Sequence, residues 1–246
     1  MGDANDYLQL AWLVLLPAGG ALAGALAAEW TRLPRHALGA LLHAAAGVAV
    51  AVVSVELMPR ILEDIAPWQL VLGFLLGAAA SVAMVKLTHG AVRRLELGGT
   101  GGWKVYLAIA IDMAGDGLMV GIGSAVSGGV GLTLALSQVV GNLPGGFVTV
   151  ANLRDKQVSR AVRLGAAASL LVPVIVGAAI GYWLLRGQAA SVQNMALAFV
   201  AGMLLLATIE DLVPEADEPQ TRRRYTTAAF AAGFVFFALL SLYVGT

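Results

Sequence analysis

Long apolar stretches alternate with short polar breaks along the whole chain. Each stretch has about 20 residues, the length that an α-helix needs to cross the apolar core of a bilayer. Most charged residues lie in the breaks. The pattern therefore predicts an all-α polytopic membrane protein with eight transmembrane helices in a single domain over residues 1–246. The predicted spans are 7–29, 37–58, 68–90, 104–127, 130–152, 161–184, 191–212 and 225–244.

Lys and Arg residues are distributed unevenly over the connections between these stretches. All but two of the 15, Arg60 and Arg186, fall at the odd-numbered connections. Cytoplasmic connections carry the excess of positive charge in membrane proteins. The asymmetry therefore predicts that the odd-numbered connections are cytoplasmic and that both termini lie outside.

The composition excludes several classes of function. Only 12% of the residues are charged, against about 25% in soluble domains. The 30 glycines are typical of membrane helices that pack closely. The formal net charge of zero indicates no nucleic-acid partner. Without any cysteine the chain has neither disulfides nor thiolate metal sites.

Two aspartates, Asp112 and Asp116, interrupt the fourth apolar stretch. An ionisable residue inside a membrane span is costly and is a candidate functional site by default. A spacing of four places both carboxylates on one face of a helix. No Lys or Arg lies between Val105 and Val126 to neutralise them. The first candidate for the missing positive charge is a transported cation; the alternative is that the pair only forms hydrogen bonds between helices.

The fifth stretch contains the second candidate motif, Asn142 with Pro144. A proline inside a helix removes a backbone donor, so we expect a kink at Pro144 and unpaired carbonyls near residue 140. This motif and the segment 112–117 are both predicted to break their helices near mid-span. The predicted cation site consists of Asp112, Asp116 and the amide oxygen of Asn142.

Two residues are secondary candidates for this site, Met113 and His43. An oxygen-rich set of ligands suits harder cations such as manganese, calcium or magnesium, and it suits an organic ammonium equally well. Two carboxylates one turn apart in a low-dielectric site should not both ionise when the site is empty. An entering cation would then displace a proton, which motivates the hypothesis of cation–proton exchange.

A short motif occurs in both the second and the seventh stretch. In each copy an acid follows the glycine of an Ala-Gly pair by nine residues, and a proline follows it by twelve. Because the two stretches run in opposite directions, the copies form an inverted repeat of the kind found in secondary transporters. The copy in the second stretch consists of Gly47, Glu56 and Pro59, and the copy in the seventh consists of Gly202, Asp211 and Pro214. We expect Glu56 at the outer mouth of a pathway, and Asp211 with its neighbour Glu210 at the inner mouth.

These motifs together resemble the ZIP (Zrt/Irt-like) family of divalent-metal transporters over nearly the whole chain. Residues 43–59, 72–78 and 201–215 are similar to the second, third and seventh spans of that family. In the fourth span, Asp116 and Gly117 keep the acid and the glycine of the family motif. In the fifth span, Asn142, Pro144 and Gly146 are kept.

The chain also departs from the family pattern at the metal ligands. Asp112 stands where the family has histidine, and Met113 where it has asparagine. Gly141 and Gly145 replace ligands of the fifth span, which leaves room for a larger cation, and Val172 replaces a glutamate. The resemblance implies a 3+2+3 arrangement with inverted outer triplets, location in the plasma (inner) membrane of a prokaryote, and a homodimer.

We therefore predict a secondary transporter that moves a divalent metal cation (zinc, manganese, iron or similar) inward by alternating access. No nucleotide-binding motif is present, so coupling should be to a gradient; we expect no enzyme activity and no resident cofactor. Besides the cation, the expected partners are the lipid bilayer and a second copy of the chain. The alternatives are a ZIP-like transporter of an organic amine or polyamine, and a transport-deficient cation sensor or scaffold. An intramembrane aspartyl protease is disfavoured because both acids share one helix and the segment before Asp116, which ends in Ala114-Gly115, lacks the first glycine of Gly-x-Gly-Asp.

Overall fold

The computed structural model describes residues 2–97, 103–217 and 223–244, and these are helical with no strand. Eight helices are long and apolar enough to cross a membrane, which confirms the predicted number and positions of the spans. Two of them, α2 and α7, contain a π-helical segment. Helix α6 is interrupted by a single residue in a turn conformation, Leu170. The helices are α1 (Gly2–Trp30), α2 (Arg35–Glu63), α3 (Pro67–Leu97), α4 (Lys104–Val126), α5 (Gly128–Asp155), α6 (Arg160–Leu185), α7 (Ala190–Asp217) and α8 (Arg223–Val244).

Short connections, such as residues 31–34 and 186–189, join consecutive helices. Consecutive helices therefore run in opposite directions. We call one end of the bundle the basic end: α1, α3, α5 and α7 end there, α2, α4, α6 and α8 begin there, and most of the Lys and Arg residues lie there. The other end of the bundle is called the far end.

Helices α1 and α5 are in close contact because glycines leave room for the opposite backbone. A Cβ on Gly20 would meet the carbonyl of Val139, and one on Gly24 would meet the carbonyl of Leu143. The contacts advance by four residues on both helices, so the two helices run in the same direction. Small residues at such crossings let membrane helices pack backbone to backbone.

Three further pairs of helices are packed closely by the same kind of glycine–carbonyl contact. In each pair, a glycine on either helix lies against a backbone carbonyl of its partner. Together with α1–α5 they form four glycine-locked pairs, which account for the closest packing in the bundle. These three pairs are α4–α6 (Gly117 on Val174, Gly177 on Ala114), α3–α7 (Gly77 on Phe199, Gly202 on Phe74) and α2–α8 (Gly47 on Phe230, Gly233 on Ala44).

The π-helical segments, Val52–Leu57 of α2 and Thr208–Leu212 of α7, each end two residues before a proline. The Met58 amide donates to the Val53 carbonyl, and the Val213 amide donates to the Thr208 carbonyl. The ring of a helical proline clashes with the carbonyl four residues earlier, and a wider turn makes room for it.

The prediction that the segment 112–117 and the Asn142–Pro144 motif break their helices is wrong. Helix α4 is continuous through both aspartates, and α5 is continuous through Pro144. Pro144 still has no amide hydrogen, so the Val140 carbonyl cannot form its usual helical bond. The π-helical segments lie instead in α2 and α7, and they end two residues before Pro59 and Pro214.

An apolar cluster fills the half of the bundle next to the far end. It contains the second half of α2 and of α4 and the first half of α5 and of α7. Two buried polar residues, Glu56 and Thr133, lie beside its members on α2 and α5. The fully buried members of the cluster include Leu57, Ile61, Val120, Leu134 and Leu197.

A buried ion pair joins α1 to α6 at the basic end. Nε and Nη2 of Arg163 donate to the two carboxylate oxygens of Glu29, each over 2.7 Å. The Glu29 side chain is only 5% exposed and that of Arg163 is 12% exposed. A parallel pair of charge-assisted bonds of this kind fixes both distance and orientation.

Candidate functional site

A cavity of about 340 Å³ lies between α2, α3, α4, α5 and α7. The residues that line it come from the halves of these helices next to the basic end and from the middle of α5. Towards the far end it stops at the apolar cluster. The cavity is therefore accessible from the basic end and closed at the other.

Helix α4 contributes one stripe of residues to the wall: Asp112, Gly115, Asp116 and Met119. The intervals of three and four residues confirm that both carboxylates lie on one face. Asp112 is exposed near the mouth, and Asp116, one turn deeper, is only 5% exposed. The two carboxylates are close enough to repel each other electrostatically.

Helix α5 places two side-chain amides at the deep carboxyl group. Asn142 and Gln138, 4% and 5% exposed, lie beside Asp116. Nδ2 of Asn142, Nε2 of Gln138 and Oδ2 of Asp116 have no hydrogen-bond partner among the described residues. Buried polar atoms are rarely left unpaired, and those that are often mark a site that binds a ligand.

Sequence reasoning identified Asn142 but missed Gln138 and several other polar residues of the wall. Gln138 precedes Asn142 by four residues and shares its helical face, so the spacing rule that paired the aspartates would have found it. The remaining polar lining residues gave no comparable signal, because four of them are single hydroxyl groups and Glu215 lies in an acidic segment at the end of its stretch. They are Ser81, Thr88, Ser137, Thr208 and Glu215.

The two secondary candidates lie away from the cavity wall. Met113 is 1% exposed and packs on the opposite face of α4 in an apolar cluster with Leu170 and Val174. Nδ1 of His43 lies 2.8 Å from the Gly39 carbonyl oxygen, and its Nε2 lies 3.1 Å from Asp217. Neither Met113 nor His43 therefore lines the cavity together with the two aspartates.

Two of the acids predicted at the mouths, Glu56 and Glu210, are not part of the cavity wall either. Glu56 is buried near the far end, where it accepts bonds from Arg60 over 2.9 Å and from Ser241 over 2.7 Å. Glu210 is exposed in the π-helical segment of α7, and the side chain of Asp211 lies outside the described residues. Glu215, further along α7, lines the cavity.

The described ranges contain no group of three or more His, Asp or Glu side chains placed to hold a metal ion. A structural zinc site uses about four ligands, usually with histidine or cysteine among them. The cavity offers two carboxylates on α4 together with neutral amide and hydroxyl oxygens, and its third acid, the exposed Glu215, belongs to α7. A tightly held zinc ion is therefore a poor match for this site, whereas a weakly held cation is compatible with it.

Two methionines, which we call the methionine wall, pack against the helix that carries the aspartates. Met84 of α3 and Met203 of α7 lie over Gly115, where a Cβ would come within 2.7 Å of the Met84 methyl carbon and 3.0 Å of the Met203 methyl carbon. Both line the cavity, as do Val48, Ile109 and Leu204. The site thus combines an acidic and amide-rich side with a larger apolar side.

The chain matches no known family model, and no curated protein is significantly similar to it in sequence.

Proposed function

We propose that the protein is a ZIP-like secondary transporter that moves a cation across a membrane by alternating access. The main support is a cavity that opens at one end of an eight-helix bundle and contains a buried carboxyl group, Asp116, at its closed end. A transporter has to offer its cargo a polar site near mid-membrane and expose that site to one side at a time.

The closed end of the cavity supports the alternating-access part of the proposal. An apolar cluster lies between Asp116 and the far end, and the buried acid in this half of the bundle, Glu56, is already bound by Arg60 and Ser241. A cation that enters from the basic end can reach Asp112 and then Asp116, but it cannot leave at the far end in this arrangement. A second arrangement that opens the far end completes the transport cycle.

The packing of the helices supports a 3+2+3 arrangement with inverted repeats. An exchange of α1 with α6, α2 with α7, α3 with α8 and α4 with α5 turns the pair α1–α5 into α6–α4. The same exchange turns α2–α8 into α7–α3, so all four glycine-locked pairs map onto one another. It also maps the π-helical segment of α2 onto that of α7.

The distribution of Lys and Arg supports the orientation. If the basic end is cytoplasmic, the cavity faces inward and both termini lie outside. A prokaryotic inner membrane is the location that accords with the family resemblance. The cargo implied by that resemblance is a divalent metal, and among metals two carboxylates with amide oxygens favour manganese or magnesium over zinc.

The proposal is tested by transport into liposomes that contain the purified protein. Radiolabelled manganese and radiolabelled putrescine serve as probes, with Asp116→Asn as the variant. The matched control is Asp155→Asn, an exposed aspartate at the end of α5. Opposite charges about 4 Å apart attract by roughly 4 kcal/mol at an effective dielectric constant near 20. The loss of that attraction is expected to weaken binding about 1,000-fold.

We expect uptake of at least one probe by the wild type and by Asp155→Asn, and uptake at the level of protein-free liposomes by Asp116→Asn. Binding that depends on Asp116 without any uptake would identify a sensor or scaffold instead. If neither probe binds or crosses, or if Asp116→Asn transports normally, the proposal is wrong. The same liposomes with an imposed pH difference test the hypothesis of proton exchange.

A further inference from the structure

The chemistry of the cavity points to a particular class of cargo. Resting on the transport function proposed above, we infer that the site takes a primary organic ammonium with an alkyl chain of a few carbons. The ammonium group binds at Asp116, and the chain lies against the methionine wall. Three features of the cavity lead to this inference: its volume, its division into a polar and an apolar side, and the number of oxygen ligands at its closed end.

The volume exceeds what a metal ion needs. About 340 Å³ is the space of roughly eleven water molecules at about 30 Å³ each. It also lies at the lower end of the range of about 300–1,000 Å³ in which pockets for small organic molecules fall. A metal ion in this cavity would keep much of its hydration shell, and that shell would face apolar side chains.

The polar groups at the closed end and the two methionines come from different helices. Asp116, Asn142 and Gln138 belong to α4 and α5, whereas Met84 and Met203 belong to α3 and α7 and place their methyl groups against Gly115 beside Asp116. Unbranched methionine side chains adapt to the shape of an apolar ligand. A hydrated ion would gain nothing from this wall, whereas an alkyl chain would bury its methylene groups there.

The number of oxygen ligands matches an ammonium group. A protonated primary amine has three N–H donors. The buried carboxyl group of Asp116 and the amide oxygens of Asn142 and Gln138 provide three acceptors, since an Asn or Gln amide can turn to present its oxygen. Magnesium demands six ligands in a near-octahedral arrangement, and calcium takes six to eight. Glu215 also lines the cavity, but among the described residues it does not form with the pair on α4 a group of three acids placed to hold a metal ion.

The inference is tested by calorimetric titration of the purified protein with methylammonium, ethylammonium and butylammonium, and in parallel with manganese and zinc chloride. Each methylene group buried against the wall should tighten binding about fourfold, so butylammonium, with three more methylene groups, should bind about 60-fold more tightly than methylammonium. Met84→Ser should flatten this dependence on chain length. Met58→Ser, a half-buried methionine that does not line the cavity, is the matched control.

Two results would overturn the inference. One is an affinity of the wild type for the amines that does not change with their chain length. This measurement does not depend on whether any variant folds. The other is tight, Asp116-dependent binding of manganese or zinc that butylammonium does not displace. If manganese is transported and the amines do not bind, the transport function stands and only the class of cargo is wrong. If no probe binds at all, both fail.

Discussion

The contact between α1 and α5 fixes the position of the amides in the site, and this can be tested at Gly146. This glycine lies one turn beyond Asn142 on α5, and a Cβ there would meet the backbone carbonyl of Ala21. The Gly146→Ala variant should therefore push α1 away from α5. The matched control is Gly165→Ala, which is also within a helix but has nothing within 4 Å of the added carbon.

The expected difference follows from two effects of opposite sign. Alanine in place of a helical glycine stabilises by about 1 kcal/mol, and both variants gain this amount. An extra methyl group in a tightly packed interface costs about 1–3 kcal/mol, and only Gly146→Ala pays it. Because the obstacle is backbone and not a movable side chain, we expect the upper part of this range. The two variants should then differ by about 2–3 kcal/mol, or roughly 4–12 °C in Tm.

Thermal unfolding of the purified protein in detergent measures this difference, with the fluorescence of the five tryptophans as the signal. Binding of the cation probes at a temperature where both variants are folded provides a second readout. Gly146→Ala should bind more weakly, because Asn142 and Gln138 move with α5. Equal Tm and equal affinity in the two variants would refute the proposed role of the α1–α5 contact.

Three further results are expected. Arg163→Met should lower the free energy of unfolding by about 1.5–3 kcal/mol because it removes the bidentate partner of Glu29 and leaves that carboxylate with Arg160 at 3.7 Å. Tm of the single variant and of Arg163→Met with Glu29→Leu checks this, and a double variant no more stable than the single one would contradict it. Met113→Leu should change the free energy of unfolding by less than about 1.5 kcal/mol and leave cation binding unchanged, since Met113 faces away from the cavity; titration of the variant with the cation probes decides this. Gly141→His should place an imidazole in the cavity beside Gln138 and tighten zinc binding at least about tenfold; unchanged zinc affinity would show that the wall cannot direct a ligand at position 141 towards Asp116.

The sequence was sufficient to predict the helices, because the length and apolar composition of a membrane span are local properties. The face shared by Asp112 and Asp116 was equally predictable, since it depends only on helical geometry. The partner residues on other helices were not. Gln138 lines the cavity and Met113 does not, and this depends on the rotation of each helix against its neighbours.

Single residues of the proposed pathway were hardest to place. Glu56 and Asp211 occupy equivalent positions in a sequence repeat, but the role of Glu56 depends on residues far away in the chain. Arg60 and Ser241 bind its carboxylate at the far end, and no pattern within α2 indicates that Ser241 of α8 will be there. Similarly, Pro144 predicted a break in α5, whereas neighbouring helices hold that helix continuous.

The four glycine-locked pairs have a consequence for how the chain matures in a membrane. No pair joins two helices that are consecutive in the chain. The partners are α1 and α5, α2 and α8, α3 and α7, and α4 and α6. During synthesis, each glycine face of the first four helices is therefore exposed to lipid until a helix made much later arrives. The glycine-locked pairs therefore cannot form in the order in which the first four helices are synthesised. The last of them forms only when α8 packs against α2. We expect substitutions in α8 such as Gly233→Ala to act on the maturation of the whole bundle as well as on its last helix.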